Sequence, residues 1–88
     1  MRGSGVAPSG GFAIRFELAR PSDVRARVYD VAGRLVRTLD GAGPFPAGAH
    51  ALRWDGTRNG GVIAARGVYW VEIQAGTDLA RQRVLALR

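Results

Sequence analysis

Hydrophobic and polar residues alternate along most of this 88-residue chain, and turn-forming residues separate the alternating segments. From Phe12 to Leu18 every second residue is a large apolar one. A period of two places alternate side chains on opposite faces of a strand, which predicts that one face is buried. Glycine or proline interrupts every stretch that could form a longer helix, so we expect almost no helix. The pattern predicts six strands, at about residues 12–19, 24–29, 34–39, 49–54, 67–74 and 79–87.

Short strands separated by turn signals are typical of an all-β fold, and we predict an antiparallel β-sandwich of about six to seven strands. Asp30 opens the turn between the second and third strands, because its carboxylate can accept hydrogen bonds from the amides that follow. Gly33 closes the turn, since glycine takes a positive φ without steric cost. These two strands should therefore pair as a hairpin. We expect Phe16, Trp54 and Tyr69 to lie in or against the core.

The N-terminal segment differs from the rest of the chain, because it consists mostly of glycine, serine, alanine and proline. This composition predicts a flexible lead-in or linker arm over residues 1–11, followed by one sandwich domain over residues 12–88. The arm has too few apolar groups to pack as a core. We expect its central residues either to lie beside an edge strand or to contact another copy of the chain. These residues are Ser4, Gly5, Val6, Ala7 and Pro8.

The chain carries a formal net charge of +6, and its 13 basic residues are all arginine. Two explanations are open: selection for carboxylate or phosphate partners, which arginine binds through paired hydrogen bonds, or the codon usage of a GC-rich genome. The even spread of the arginines favours codon usage. Cysteine is absent, which excludes a disulfide framework and thiolate metal sites. No apolar run is long enough to span a membrane, and no apolar stretch follows Arg2 as it would in a secretory signal.

The sequence offers little for catalysis. His50, the single histidine, follows the apolar face of a strand, and no serine lies in a nucleophile motif. No two carboxylates share a strand face at a spacing suited to acid–base chemistry. The loop from Asp55 matches the first positions of a calcium loop, but Arg66 stands where a bidentate glutamate is needed. We therefore expect no enzymatic activity, cofactor, metal or small-molecule substrate.

The arginines also suggest a nucleic-acid interface. Arg25 and Arg27 share one strand face, as do Arg81 and Arg83, so these side chains would form a basic stripe if their strands were neighbours. Binding of single strands also needs exposed aromatic side chains, and only Tyr29 clearly faces outward with the arginines. A basic nucleic-acid-binding module is therefore the third and least favoured of our hypotheses.

Two segments resemble a known family. Residues 28–39 read Val-Tyr-Asp-Val-Ala-Gly-Arg-Leu-Val-Arg-Thr-Leu, and residues 54–69 run from Trp-Asp-Gly through a glycine-rich loop to Gly-Val-Tyr. In this order and spacing they resemble the immunoglobulin-like domain of the flagellar hook-capping protein and the related C-terminal sorting domains of type IX secretion substrates. The resemblance implies an immunoglobulin-like sandwich. The motif residues, for which we expect structural roles, are Asp30, Gly33, Trp54, Asp55, Gly56, Gly67 and Tyr69.

Elementary chemistry agrees with structural roles for these residues. Trp54 ends a strand on its apolar face, Asp55 can accept hydrogen bonds from loop amides, and Gly56 permits a sharp turn. We also expect Gly33 and Gly67 to occupy backbone conformations that other residues disfavour, or positions that a side chain would obstruct.

The last strand suggests how the module would act, because basic residues precede a short apolar stretch and a terminal arginine, as in type IX sorting domains. Our first hypothesis is therefore a non-catalytic module of an exported bacterial surface protein, recognised by export machinery for sorting or anchoring. The alternative is a structural subunit that self-assembles into a surface filament or cap by β-strand addition. Both hypotheses imply protein partners and an extracellular location, with any export signal outside this chain. The candidate interaction residues of the last strand are Arg81, Arg83, Leu85, Leu87 and Arg88.

Overall fold

The chain folds as two antiparallel sheets. The computed structural model describes residues 2–6, 11–39 and 43–86, with the backbone alone for residues 2–6. This part of the chain contains eight strands and no helix, and hence no helix long and apolar enough to cross a membrane. The strands are β1 Arg2–Val6, β2 Phe12–Leu18, β3 Ser22–Asp30, β4 Leu35–Leu39, β5 Pro44–Phe45, β6 Gly48–Trp54, β7 Gly67–Ala75 and β8 Asp78–Ala86.

The strand order confirms the predicted antiparallel sandwich. The smaller sheet has the order β1-β2-β6, and the larger sheet has the order β4-β3-β7-β8, with β5 paired to the start of β3. Two strands exceed the six expected from alternation: β1 comes from the Gly/Ser-rich arm, and β5 is only two residues long. Neither has an alternating apolar pattern, so we attribute both to pairing with their neighbours rather than to local propensity.

The predicted hairpin is present. β3 and β4 pair antiparallel, with Ala26 opposite Leu39 and Tyr29 opposite Leu35. The register shifts between Val28 and Tyr29, so β4 carries one residue more than β3 over this stretch. Such a bulge increases the local twist of the strands, which here lead into the turn after Asp30.

The core lies between the sheets and follows from the alternation. Val28 of β3 stands opposite Val71 of β7, and neither side chain is accessible to solvent. Phe16, Trp54 and Tyr69 are each at most 5% exposed, which confirms their predicted place in the core. Burying an apolar side chain of this size stabilises a fold by roughly 1.5–3 kcal/mol. The buried apolar residues are Phe12, Ile14, Phe16, Val24, Ala26, Val28, Val36, Leu39, Leu52, Trp54, Ala64, Tyr69, Val71, Ile73, Val84 and Ala86.

Part of the N-terminal arm belongs to the smaller sheet. β1 pairs antiparallel with β2, with Gly3 opposite Ile14 and Val6 opposite Phe12, and it also lies beside β8 of the larger sheet. Ser4 to Val6 therefore run beside a strand that would otherwise be an edge, which is one of the two arrangements expected for the centre of the arm. Residues 7–10, with Ala7 and Pro8, lie outside the described residues. The boundary at residue 12 remains a prediction.

Candidate functional site

The turn between β3 and β4 is organised by the carboxylate of Asp30. Its Oδ1 accepts hydrogen bonds from the backbone amides of Ala32 and Arg34, each at 2.9 Å, and its Oδ2 accepts one from Nε of Arg34 at 3.0 Å. Gly33 has a φ of +82°, and its amide donates to the carbonyl of Asp30 at 3.0 Å. Both residues therefore have the structural roles that turn chemistry predicts.

A second cluster of motif residues forms the corner after β6. Trp54 is fully buried; its indole Nε1 donates a hydrogen bond to the carbonyl of Thr57 at 2.8 Å. Oδ1 of Asp55 accepts hydrogen bonds from the amide and the hydroxyl of Thr57, at 3.0 and 2.6 Å. Gly56 has a φ of +83°, a backbone conformation that residues with a side chain rarely adopt. These contacts fix where the chain leaves the strand and where the following loop begins.

Tyr69 fastens the other end of this loop. Its ring meets Trp54 edge-on with 5.1 Å between ring centroids, and Trp54 in turn stacks on Phe12 at the same separation. The hydroxyl of Tyr69 donates a hydrogen bond to the carbonyl of Ala65, four residues upstream. This is the arrangement of the tyrosine corner found in other β-sandwiches. The loop from Asp55 to Arg66 is therefore held at both ends by buried aromatic rings.

Glycine is expected to be required at position 67. Gly67 has a φ of +151°, and a Cβ added there would meet no atom within 4 Å, so backbone strain alone should oppose a side chain. We expect Gly67→Ala to lower the free energy of unfolding by about 1 kcal/mol or more. Gly43→Ala is the matched control, because Gly43 also has open space around it but no positive φ. Equal melting temperatures for the two variants would contradict this explanation.

The loop between Asp55 and Arg66 also covers the outer edge of β4, which the sequence did not reveal. The amide of Asn59 donates to the carbonyl of Val36 at 2.9 Å, and its side-chain Oδ1 accepts from the amide of Thr38 at 3.2 Å. The guanidinium of Arg37 donates to the hydroxyl of Thr57 at 2.8 Å. An open strand edge is a template for aggregation because its backbone N–H and C=O groups are unpaired. This loop forms hydrogen bonds with some of those groups on β4.

Hydrogen bonding lowers the pKa of both motif carboxylates. For Asp30 the largest cause of the lowered pKa is the backbone amide of Arg34, to which the guanidinium of the same residue adds. For Asp55 the largest cause of the lowered pKa is the hydroxyl of Thr57. In both cases the ionised carboxylate is the better acceptor, so the folded state favours it over the protonated acid.

Acid is expected to destabilise the domain through these two carboxylates. Each pKa is lower in the folded chain than its ordinary value of 3.8, so the stabilisation is complete above that value and is lost as the pH falls through the folded pKa. The melting temperature should therefore decrease below about pH 4. In Asp55→Asn the decrease should be smaller than in the wild type, whereas Glu17→Gln, at an exposed position, should behave as the wild type does. An unchanged acid dependence in Asp55→Asn would contradict the role of Asp55.

The candidate interaction residues of β8 lie on its outward side. Arg81, Arg83 and Leu85 are exposed, and they alternate with Val84 and Ala86, which are buried in the core. Leu87 and Arg88 fall outside the described residues. β8 is the last strand of the larger sheet, and no strand of the described residues pairs with its far side. β1 of the smaller sheet lies beside β8 without pairing with it, so what this edge lacks in the described part of the chain is a hydrogen-bonded strand.

The outer face of the larger sheet does not carry the basic stripe considered from the sequence. β7 lies between β3 and β8, so their arginines are not neighbours. Glu72 of β7 stands opposite both Arg27 and Arg81, and its carboxylate forms an ion pair with Arg81 at 3.6 Å. A carboxylate thus interrupts the positive charge at the position where the stripe would have been continuous.

Sequence reasoning missed an exposed tryptophan on this outer face. Trp70 of β7 is 39% exposed and stands in register between Tyr29 of β3 and Arg83 of β8. The signal was present in the sequence, because Tyr69 faces the core and its neighbour must face the other way. We call the outward-facing surface of β4, β3, β7 and β8 the Trp70 face. Its central residues are Leu35, Tyr29, Trp70, Arg83, Arg27, Glu72 and Arg81.

His50 and Asp55, the remaining candidates for chemistry, contact other residues of the fold. His50 packs against the rings of Phe16 and Phe45, with centroids 5.6 and 4.8 Å away, and its Nε2 lies 2.6 Å from the carbonyl oxygen of Pro46. Within the described ranges, no three histidine, aspartate or glutamate side chains come together closely enough to hold a metal ion. The loop from Asp55 instead uses that carboxylate to bind its own Thr57.

Comparison with known proteins identifies the family. A family model described as the FlgD Ig-like domain matches residues 4–78. The chain belongs to this family. Among solved structures, the crystal structure of FlgD from P. aeruginosa matches with a TM-score of 0.71 and 26% sequence identity over 90% of this chain. The chain spans 64% of the length of that FlgD chain.

These comparisons confirm the predicted resemblance to the hook-cap immunoglobulin-like domain, together with the immunoglobulin-like sandwich. The match begins within the N-terminal arm, so residues 4–6 of β1 are part of the FlgD Ig-like domain pattern as well as of the smaller sheet. None of the curated proteins compared with the chain matches it.

Proposed function

We propose that this chain is a non-catalytic, structural module of an exported bacterial assembly, and that it acts through contacts with other proteins outside the cell. The observation that carries the proposal is the match of the FlgD Ig-like domain model to residues 4–78, supported by the similarity to a solved FlgD chain. The described motif residues support it too, because Asp30, Trp54, Asp55 and Tyr69 all use their polar groups in turns and corners.

The mode of assembly that we propose is β-strand addition. The outer edge of β4 is bound by the loop that contains Asn59, whereas no described strand pairs with the far side of β8. β8 is nine residues long and contains no proline, so it offers an uninterrupted row of backbone donors and acceptors. The arm forms a strand on β2 of its own chain, and exchange of β1 between copies would make it the strand that is added to a neighbour.

Sorting or anchoring by export machinery is the second candidate function. The observation that favours it is the outward position of Arg81, Arg83 and Leu85 on an edge strand near the end of the chain, where a receptor could reach them. The family match gives more support to the assembly role, since FlgD is the protein that the comparisons name.

Sedimentation of the full chain and of a chain that begins at Gly11 tests the assembly role. If the arm joins one copy to the next, the full chain should form larger species as its concentration rises, and the shortened chain should remain monomeric. Gly5→Pro in the full chain should also reduce association, because proline cannot donate a backbone hydrogen bond, whereas Ser4→Ala should not.

Two results would reject strand addition by the arm. The first is a full chain that stays monomeric at every concentration. The second is a shortened chain that associates more than the full chain, because β1 would then protect the edge of β2 rather than join copies.

A further inference from the structure

The exposed tryptophan of the Trp70 face has no role in holding the fold comparable to that of Trp54. Trp54 is fully buried and hydrogen-bonded, whereas Trp70 is 39% exposed in the middle of a strand. A tryptophan in such a position presents a large rigid apolar surface to solvent, and this residue type dominates the binding energy of many protein interfaces. The exposed position of Trp70 therefore indicates a binding surface for a partner.

The surroundings of Trp70 form a shallow groove. It has a volume of about 330 Å³, and its lining residues are Tyr29, Asp30, Val31, Gly33, Trp70, Glu72 and Arg81. Val31 is 75% exposed, and Leu35, in register beside Tyr29, is 47% exposed. The groove therefore offers apolar contacts and extends to the turn between β3 and β4.

Arginines without an ion pair in the described residues lie beside this groove on the Trp70 face. The carboxylates of Asp30 and Glu72 are already engaged, the first in its turn and with Arg34, the second with Arg81. Arg27 and Arg83 form no ion pair with any residue of the described ranges. The charge left over on the face is therefore positive, and it is complementary to an acidic partner.

We propose that the Trp70 face binds an acidic segment of a partner protein, with an apolar side chain of that segment against Trp70 and its carboxylates on Arg27 and Arg83. Guanidinium groups bind carboxylates through paired hydrogen bonds, and an aromatic anchor surrounded by polar contacts is the usual anatomy of a protein interface. This surface is distinct from strand addition, because it uses a sheet face rather than an edge. Either proposal can fail without the other.

The charge of the face argues against a second copy as the occupant, because two such faces would bring like charges together. The chain has only 7 acidic residues against 13 arginines, so it has little acidic surface to offer in return. The aliphatic side chains around the groove argue against a nucleic acid, since leucine and valine do not stack on bases.

A synthetic peptide in which aspartate alternates with leucine, with a central phenylalanine, is the probe. About ten residues suffice, because an extended peptide of that length is about 33 Å long and the domain's largest extent is 35 Å. Binding is measured by calorimetry against the wild type, Trp70→Thr and Arg83→Glu. Arg15→Glu is the matched control, since Arg15 is an exposed arginine on a strand of the other sheet. Melting temperatures establish that all the variants are folded.

The wild type should bind the peptide, and Trp70→Thr and Arg83→Glu should each weaken binding by about tenfold or more. Arg15→Glu should change it by less than about threefold. Iodide quenching gives a second measurement: Trp54 is buried, so the quenchable emission comes from Trp70 and should be protected by the bound peptide. Absence of binding, or equal binding by Trp70→Thr, would overturn the proposal. An oligoglutamate or a single-stranded DNA of the same charge that binds equally well would also overturn it, because oligoglutamate has no apolar anchor and binding of the DNA would favour a nucleic acid as the occupant.

Discussion

Replacing Trp54 with alanine is expected to lower the free energy of unfolding by about 3–5 kcal/mol, as for other large buried aromatic residues. Trp54 is fully buried, stacks on Phe12, meets Tyr69 edge-on and donates a hydrogen bond to Thr57. Alanine would leave a cavity and an unsatisfied carbonyl at the same place. A domain of this size has a total stability near the low end of the usual 5–15 kcal/mol, so this loss could abolish folding at room temperature.

The second tryptophan of the chain provides the control for this experiment. Trp70 has the same side chain but lies 39% exposed on an outer face, so Trp70→Ala should cost no more than about 1 kcal/mol. Chemical denaturation followed by circular dichroism measures both variants on the same scale. If Trp54→Ala melts within a degree or two of the wild type, Trp54 is not part of the cooperative core and a surface role for it becomes open again.

The strands and the core could be predicted because they depend on local patterns. Alternation alone located β2, β3, β6, β7 and β8, and the turn chemistry of Asp30 and Gly33 predicted the pairing of β3 with β4. β1 and β5 could not be found in this way. Their sequences have no apolar period, and they are strands because a neighbouring strand supplies the hydrogen-bond partners.

Contacts between distant segments were harder to infer. The sequence gives no indication that Asn59 would bind the edge of β4, because that contact depends on how the loop after Trp54 folds over the sheet. Strand order has the same difficulty. Arg27 and Arg81 are not neighbours because β7 lies between their strands. The alternation of polar and apolar residues within each strand would be the same for any order of the strands in the sheet. Trp70 is the exception, since the alternation of β7 sufficed to place it outward.

Phe16→Ala tests the end of the core that lies away from Trp54 and is expected to lower the free energy of unfolding by about 3 kcal/mol. Phe16 is 4% exposed, and its ring meets Phe45 edge-on at 5.7 Å and lies 5.6 Å from the ring of His50. Alanine would remove one side of this aromatic cluster. β5 should then lose much of what holds it beside β3, because Phe45 packs on Phe16 while β5 pairs with β3 at only two positions.

Glu17→Ala is the matched control for Phe16→Ala, because Glu17 lies on the same strand and faces solvent. Its stability should change by no more than about 0.5 kcal/mol. Hydrogen exchange can separate the local effect from the global one, since a variant that loosens β5 alone would expose only the amides near that strand. If Phe16→Ala cost as little as Glu17→Ala, the aromatic cluster would be only a surface contact. The cooperative core would then be confined to the part of the sandwich around Trp54, Phe12 and Tyr69.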